Sequence, residues 1–181
     1  MFAILETGRL LLRPPKAGDI SRMMPLIAEY DVAKNTSRVP HPYTEDDACD
    51  FMVTASVGWV TGRNFAFSIL RKEDGVFIGG CGLHPSRDWE FGYWLGKPYW
   101  GHGYATEAAE AIVAFGFEKK GADWLAAKWF HDNPASGRVL EKLGFFVCGE
   151  DVSNSVARGR QVRCFVTVLD RATYMTRKKA A

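Results

Sequence analysis

Cysteine is scarce and scattered: Cys49, Cys81, Cys148 and Cys164 are the only four, and no two form a C-x-x-C pair. That spacing argues against a zinc site or a dithiol redox motif, and no metal is expected. A disulfide framework is not needed by a chain with this much apolar material, so a reducing compartment is expected. An excess of one charge is missing too, since 23 Lys and Arg stand against 21 Asp and Glu. Nucleic-acid binders concentrate basic charge, so no nucleic-acid partner is expected. The basic cluster Arg177, Lys178 and Lys179 lies in residues 171–181, read as a frayed C-terminal tail. No apolar run approaches the ~20 residues that cross a bilayer. The opening MFAILETGRLLLR carries no basic stretch ahead of its apolar residues and does not read as a secretory signal. No membrane partner and a cytoplasmic location are expected. Internal repeats, low-complexity linkers and a G-x-x-x-x-G-K-[ST] phosphate loop are absent as well.

What remains is a chain of 181 residues, 47% hydrophobic, enough for one well-filled core over 1–170. Arg9 to Arg13 is a short apolar run closed by Pro14 and Pro15, a first strand. Ile20, Met23, Met24 and Ile27 recur at helical spacing. A Pro-punctuated loop, Asn35 to Tyr43, separates that helix from a second, which Thr44 caps ahead of three acids. NFAFSIL and VFIGGCGLH flank a KEDG turn and read as an antiparallel hairpin; WEFGYWL follows, its Gly92 hinting at a bulge or a close backbone approach. A long helix is predicted from about Tyr104 to Lys120, with Gly121 at its end. Then come the strand DWLAAKWF, a short helix opened by Asn133-Pro134 and closed by Gly144, and the strands FFVCGE and QVRCFVTVL. About seven strands and about four helices result. The class is α+β (or α/β), with a mixed, mostly antiparallel central sheet.

Tyr99 to Ala108 reads YWGHGYATEA, placing two glycines directly against a helix start. A helix start offers unpaired amides and partial positive charge, and residues without side chains let a phosphate come close. A pyrophosphate-cradling turn is one reading; a ligand-free connector is the other. A dinucleotide fold fits poorly, because the third glycine position of G-x-G-x-x-G is Thr106 and at least four strand candidates come first.

ETGRLLLRPP from Glu6, FGYWLGKPYWGHGYATEA from Phe91 and NPASGRVLEKLGF from Asn133 stand in an order that resembles the GNAT N-acetyltransferases. They are most similar to the RimJ/RimL-type branch of ribosomal-protein N-terminal acetyltransferases. The resemblance extends to about Leu169 and implies a single GNAT-type domain. One departure is visible. Where the superfamily's loop opens with Gln or Arg, this chain has Trp100; the later positions are Gly103 and Ala105.

The resemblance implies transfer of an acetyl group from acetyl-CoA, as cosubstrate, to an amine acceptor, either a small molecule or a protein N-terminus. Cofactor contacts map to Trp100, Gly101, His102, Gly103, Tyr104, Ala105 and Thr106, and to Trp94, Leu95 and Gly96, where the fourth strand splays from the fifth and backbone donors face the developing oxyanion. Asn133 maps to a pantetheine contact. Glu90 maps to the base or water-relaying carboxylate, with His84 a second candidate for base or substrate contact. Ser136 maps to the proton donor and a contact of the CoA sulfur, since Leu140 stands where many members carry a tyrosine. Tyr43, His41 and Arg38, in the loop between the first two helices, are placed at the acceptor pocket by position alone. Lys142 and Arg138 read as a solvated helix face, with neutralisation of the CoA 3′-phosphate as the alternative, and Trp94, Tyr99 and Trp100 read as packing. No cysteine falls in these motifs, which favours direct attack in a ternary complex. The alternative is a non-catalytic acyl-CoA-binding or regulatory domain, and a homodimer is left open.

Overall fold

The apolar runs become strands. The computed structural model describes residues 2–180. Its strands are β1 (Leu5–Glu6), β2 (Leu10–Arg13), β3 (Phe65–Arg71), β4 (Phe77–Pro85), β5 (Trp89–Leu95), β6 (Trp124–Phe130), β7 (Phe146–Ser155) and β8 (Arg160–Asp170). They form one sheet in the order β1-β2-β3-β4-β5-β6-β8-β7. Every neighbouring pair is antiparallel except β5 and β6. The helices are α1 (Ile20–Ile27), α2 (Tyr30–Ala33), α3 (Glu45–Thr61), α4 (Tyr104–Ala114), α5 (Pro134–Leu143) and α6 (Arg171–Ala180).

The α+β class holds, with eight strands and six helices in place of about seven and about four. The additions β1 and α2 are too short, at two and four residues, to leave a periodic signal. The third addition, α6, corrects the expectation of a frayed tail. The Asp170 carboxylate accepts from the Thr173 amide at 2.8 Å, Tyr174 stacks on Phe117 at 4.6 Å, and Lys178 pairs with Glu118 at 2.5 Å. The long helix is also shorter than expected. It gives way after Ala114 to a π-helical turn, Phe115–Lys119, before Gly121 turns the chain at φ 70°. Gly92 marks no bulge, since β4 and β5 stay in register throughout; the register shifts instead between Ile69 and Leu70 and between Val147 and Gly149.

The larger core gathers Phe65, Phe67, Leu83, Phe91, Ile112 and Leu125 between the sheet and α4. Trp59 of α3 meets Phe65 and Phe67 edge-on at 5.1 and 5.0 Å and gives its indole N–H to the Ala66 carbonyl at 2.7 Å. A smaller core joins Met23 and Ile27 of α1 to Tyr43, Ala48 and Phe77, with Trp94 against it.

One buried acid ties the first helix to the sheet. Asp19 is 2% exposed and accepts from both terminal nitrogens of Arg13 (2.8 and 2.6 Å), from the Lys16 amide (3.0 Å) and from Ser68 Oγ (2.8 Å). Burial opposes its ionisation, but these donors outweigh burial and hold its pKa below the usual carboxylate value. Asp19→Asn is expected to lower stability by about 3 kcal/mol at neutral pH in urea denaturation, because Arg13 loses its counter-ion in the interior. The native group contributes fully above the unfolded carboxylate pKa of ~3.9 and loses that contribution as pH falls through its lower folded value. The variant's acid unfolding should therefore be less steep.

Candidate active site

β5 and β6 pair at only two positions, Trp89 with Leu125 and Glu90 with Ala126. Past that point β5 continues along β4 as far as Leu95, while β6 continues along β8. The two strands diverge, and a cavity of about 830 Å³ occupies the wedge. Its size suits a small-molecule ligand.

At the far end of β5 the chain makes a tight turn over Lys97–Tyr99, closed when the Trp100 indole donates to the Leu95 carbonyl at 2.8 Å. Trp100 is thus more than a packing residue: 42% exposed, it braces the loop. Gly101 and Gly103 both hold φ at 80°, where a side chain costs about 1–2 kcal/mol. Gly103 precedes the first residue of α4 and offers no side chain to cap it. Tyr104, Ala105 and Thr106, whose amides open that helix, line the cavity with Gly101 and Gly103. Among the described residues no acceptor takes up those amides. This is the geometry in which helix starts hold anions.

Two residues mapped to the cofactor stand outside the lining. The Gly96 amide donates to the Ile78 carbonyl at 2.9 Å, so it is occupied within the sheet and is not an oxyanion donor. A Cβ there would come within 2.8 Å of Leu26 Cδ2, so a larger residue would displace that side chain. His102 is exposed, and its carbonyl accepts from Arg9 at 3.0 Å. Trp94 and Leu95 do line the cavity.

Arg9 belongs to an arrangement that local patterns do not announce. Glu107, in the first turn of α4, accepts from the Arg9 side chain and amide, each at 2.7 Å, and from Thr7 Oγ1 at 2.6 Å. Burial works against the Glu107 charge, but these donors prevail and its pKa is lowered. The turn between β1 and β2 is thereby fastened beside the glycine loop.

Midway along the wedge, Tyr93 of β5 donates its hydroxyl to Ser136 Oγ at 3.2 Å. The Ser136 amide meets Asn133 Oδ1 at 3.3 Å, so Asn133 caps α5 as its sequence suggests, and its amide nitrogen stays free for a ligand. Burial raises the Tyr93 pKa despite the bond to Ser136, so the phenol stays protonated. With its oxygen accepting from Tyr93, Ser136 retains its own proton for donation. Tyr93 was not singled out from sequence; its signal is the alternation of Phe91, Tyr93 and Leu95 toward the α4 side. Leu140 is buried and inert.

At the near end, Asn64, His84 and Glu90 form a polar row across the sheet. His84 and Glu90 are cross-strand partners, and Asn64 Oδ1 lies 2.9 Å from His84 Nδ1. An amide oxygen only accepts, which assigns the proton to Nδ1 and leaves the Nε2 lone pair unprotonated. Burial, aided by the charge of Arg38, pushes the His84 pKa down to about 4. His84 is therefore a neutral acceptor and a weak base. Glu90 lines the cavity with Lys128, which is paired to Asp151 at 2.9 Å. The Tyr43 phenol faces the same space, and burial, then the Asp47 charge, raise its pKa to about 12. Arg38 lines the cavity too, but His41 does not; its ring lies tilted against Tyr30 at 5.1 Å. No cluster of His, Cys, Asp and Glu suited to a metal gathers among the described residues. No helix among the described residues is long and apolar enough to cross a membrane.

A family model described as an acetyltransferase (GNAT) domain matches residues 9–146. The chain is 30% identical to the uncharacterized N-acetyltransferase YoaA of Bacillus subtilis over 149 residues, 80% of this chain and 84% of the relative. It is 28% identical to the uncharacterized N-acetyltransferase p20 of Bacillus licheniformis, over 94% of this chain and 97% of the relative. Among solved structures, Mycobacterium smegmatis RimJ in complex with CoA-disulfide shares the fold at a TM-score of 0.80, with 17% identity, over 94% of this chain and 87% of that one.

The buried imidazole gives a pH signature. The unfolded chain takes up a proton at His84 near pH ~6.5, while the folded protein resists until about pH 4, so this group removes stability as pH falls through that window. His84→Gln, whose amide can still donate to Asn64, should flatten the fall in melting temperature between pH 7 and 5.

Proposed function

Since this chain belongs to the GNAT acetyltransferase family, we propose that it transfers the acetyl group of acetyl-CoA to a primary amine by direct attack in a ternary complex. The observation that carries this reading is the wedge between β5 and β6, which runs into the uncapped start of α4 within one cavity. The open amides of residues 104–106 and the glycine loop would hold the diphosphate, and Asn133 would hydrogen-bond the pantetheine arm. Acetyl-CoA supplies an activated thioester.

The amine must be neutral to attack, which an α-amine of pKa ~8 manages more readily than a lysine of ~10.4. Glu90 takes its surplus proton directly or through a water. The nitrogen bonds to the acetyl carbon as the carbon–sulfur bond breaks. The sulfur leaves as a thiolate, with a pKa near the ~8.5 of a cysteine. Ser136, braced by Tyr93, hydrogen-bonds that thiolate, and the proton released by the amine restores the thiol. The motif order and the fold shared with RimJ support a place in the RimJ/RimL-like branch. The acceptor is either a protein N-terminus or a small-molecule amine. The balanced charge and the free cysteines support a cytoplasmic enzyme.

The second reading is a domain that binds acyl-CoA without turnover. Thermal shift and free-thiol release separate the two. Acetyl-CoA at ~100 times its dissociation constant should add ~2.7 kcal/mol of stability to the wild type and to both Glu90→Gln and Ser136→Ala. Glu90→Gln should lower kcat/KM about 100-fold, and Ser136→Ala about 10-fold, one hydrogen bond's worth. Unchanged turnover in both, with binding intact, would remove these residues from the mechanism. Binding without thiol release from any amine would favour the second reading.

A further inference from the structure

The acceptor end of the cavity contains a cation with no counter-ion. Arg38 lines it and is exposed. Arg13 and Arg158 are each locked to an aspartate at 2.6 Å, whereas no carboxylate of the described residues comes within ion-pair range of Arg38. Its charge lowers the His84 pKa, and His84 is the cross-strand partner of Glu90 at the start of β5, whereas the glycine loop follows the end of that strand.

The backbone that presents Arg38 is anchored. The Val156 amide donates to the Ser37 carbonyl at 3.2 Å, and Arg158 donates to the Lys34 carbonyl at 2.8 Å while paired to Asp132. Both anchors come from the turn between β7 and β8, so the fold brings its far end back to fix this loop.

The unpaired guanidinium shares the cavity lining with the carboxylates of Asp47, Asp50 and Glu90, so that end offers both signs of charge and suits an acceptor whose ammonium is matched by an anion. A guanidinium fork fits a carboxylate in two parallel hydrogen bonds. Glu90 on β5 offers the opposite charge, with the His84 Nε2 lone pair on the neighbouring strand as an acceptor for an N–H. Negative and positive groups thus flank one space, as an amine and a carboxylate on one small molecule would require.

We infer that the acceptor is a small aminocarboxylate, with Arg38 binding its carboxylate and Glu90 facing its amine; this rests on the acetyltransferase reading above. The test is calorimetric titration of the CoA-saturated protein with the protein amino acids and γ-aminobutyrate, with the carboxamide of each, and with spermidine. At least one acid should bind about 10- to 100-fold more tightly than its own carboxamide, the range expected of a charge-assisted pair. Arg38→Ala should abolish that preference without weakening the carboxamide, Arg38→Lys should keep part of it, and the unliganded variants should melt with the wild type. The inference is overturned if no acid binds, if the carboxamide or spermidine binds equally well, or if Arg38→Ala leaves the preference intact. Thiol release keeps the two readings apart. Binding of the acid without release from any amine would sink the acetyltransferase reading and leave the carboxylate site standing. Release from spermidine or a peptide N-terminus alone would do the reverse.

Discussion

Two residues of parallel pairing hold the middle of the sheet together, and the site exists because that pairing stops. β5 and β6 each keep their outer neighbour, so the wedge costs the sheet no integrity. It does leave two inner strand edges with backbone groups unmatched across the gap. Buried polar groups without partners are costly, at about 1–3 kcal/mol each. Such edges favour an extended occupant with amides of its own, in the manner of a strand added to a sheet. The α4 start closes one end of the wedge with further unpaired amides. The half of the site proposed for the cosubstrate is therefore mostly main chain, whose hydrogen-bonding groups do not depend on which side chains the sequence carries.

The half proposed for the acceptor is built differently. Arg38 and Tyr43 come from one loop, Asn64 from the entry to β3, and His84 and Glu90 from facing strands, while the turn after β7 secures the loop. Side chains, not main chain, set its chemistry. Several separated segments can each change without disturbing the sheet, so a shared fold carries little information about the acceptor.

The same division decides what could be read from the chain. The α5 boundaries were legible because Asn133, Pro134 and Gly144 act on residues within a turn of themselves. The glycine loop was legible because positive φ and a thin helix start demand particular residues on the spot. Tyr93 and Ser136 meet across 43 positions and Arg9 meets Glu107 across 98, and no local pattern records such contacts. Gly96 maps to an oxyanion donor, yet its amide is taken by the Ile78 carbonyl on the neighbouring strand, a pairing that no local pattern records. The last helix was missed because its support is tertiary, from Phe117 and Glu118, while its own sequence is mostly polar.

Glu107 has an awkward address: a carboxylate in the opening turn of the helix that would receive a diphosphate. Left bare, it would push that ligand's charge away. Thr7 and Arg9 cover it from the N-terminal turn, and Arg9 adds a half-exposed positive charge next to Gly103. The turn from Thr7 to Arg9 therefore acts as an electrostatic shield for the helix start, from a stretch of chain that stands outside the cavity lining.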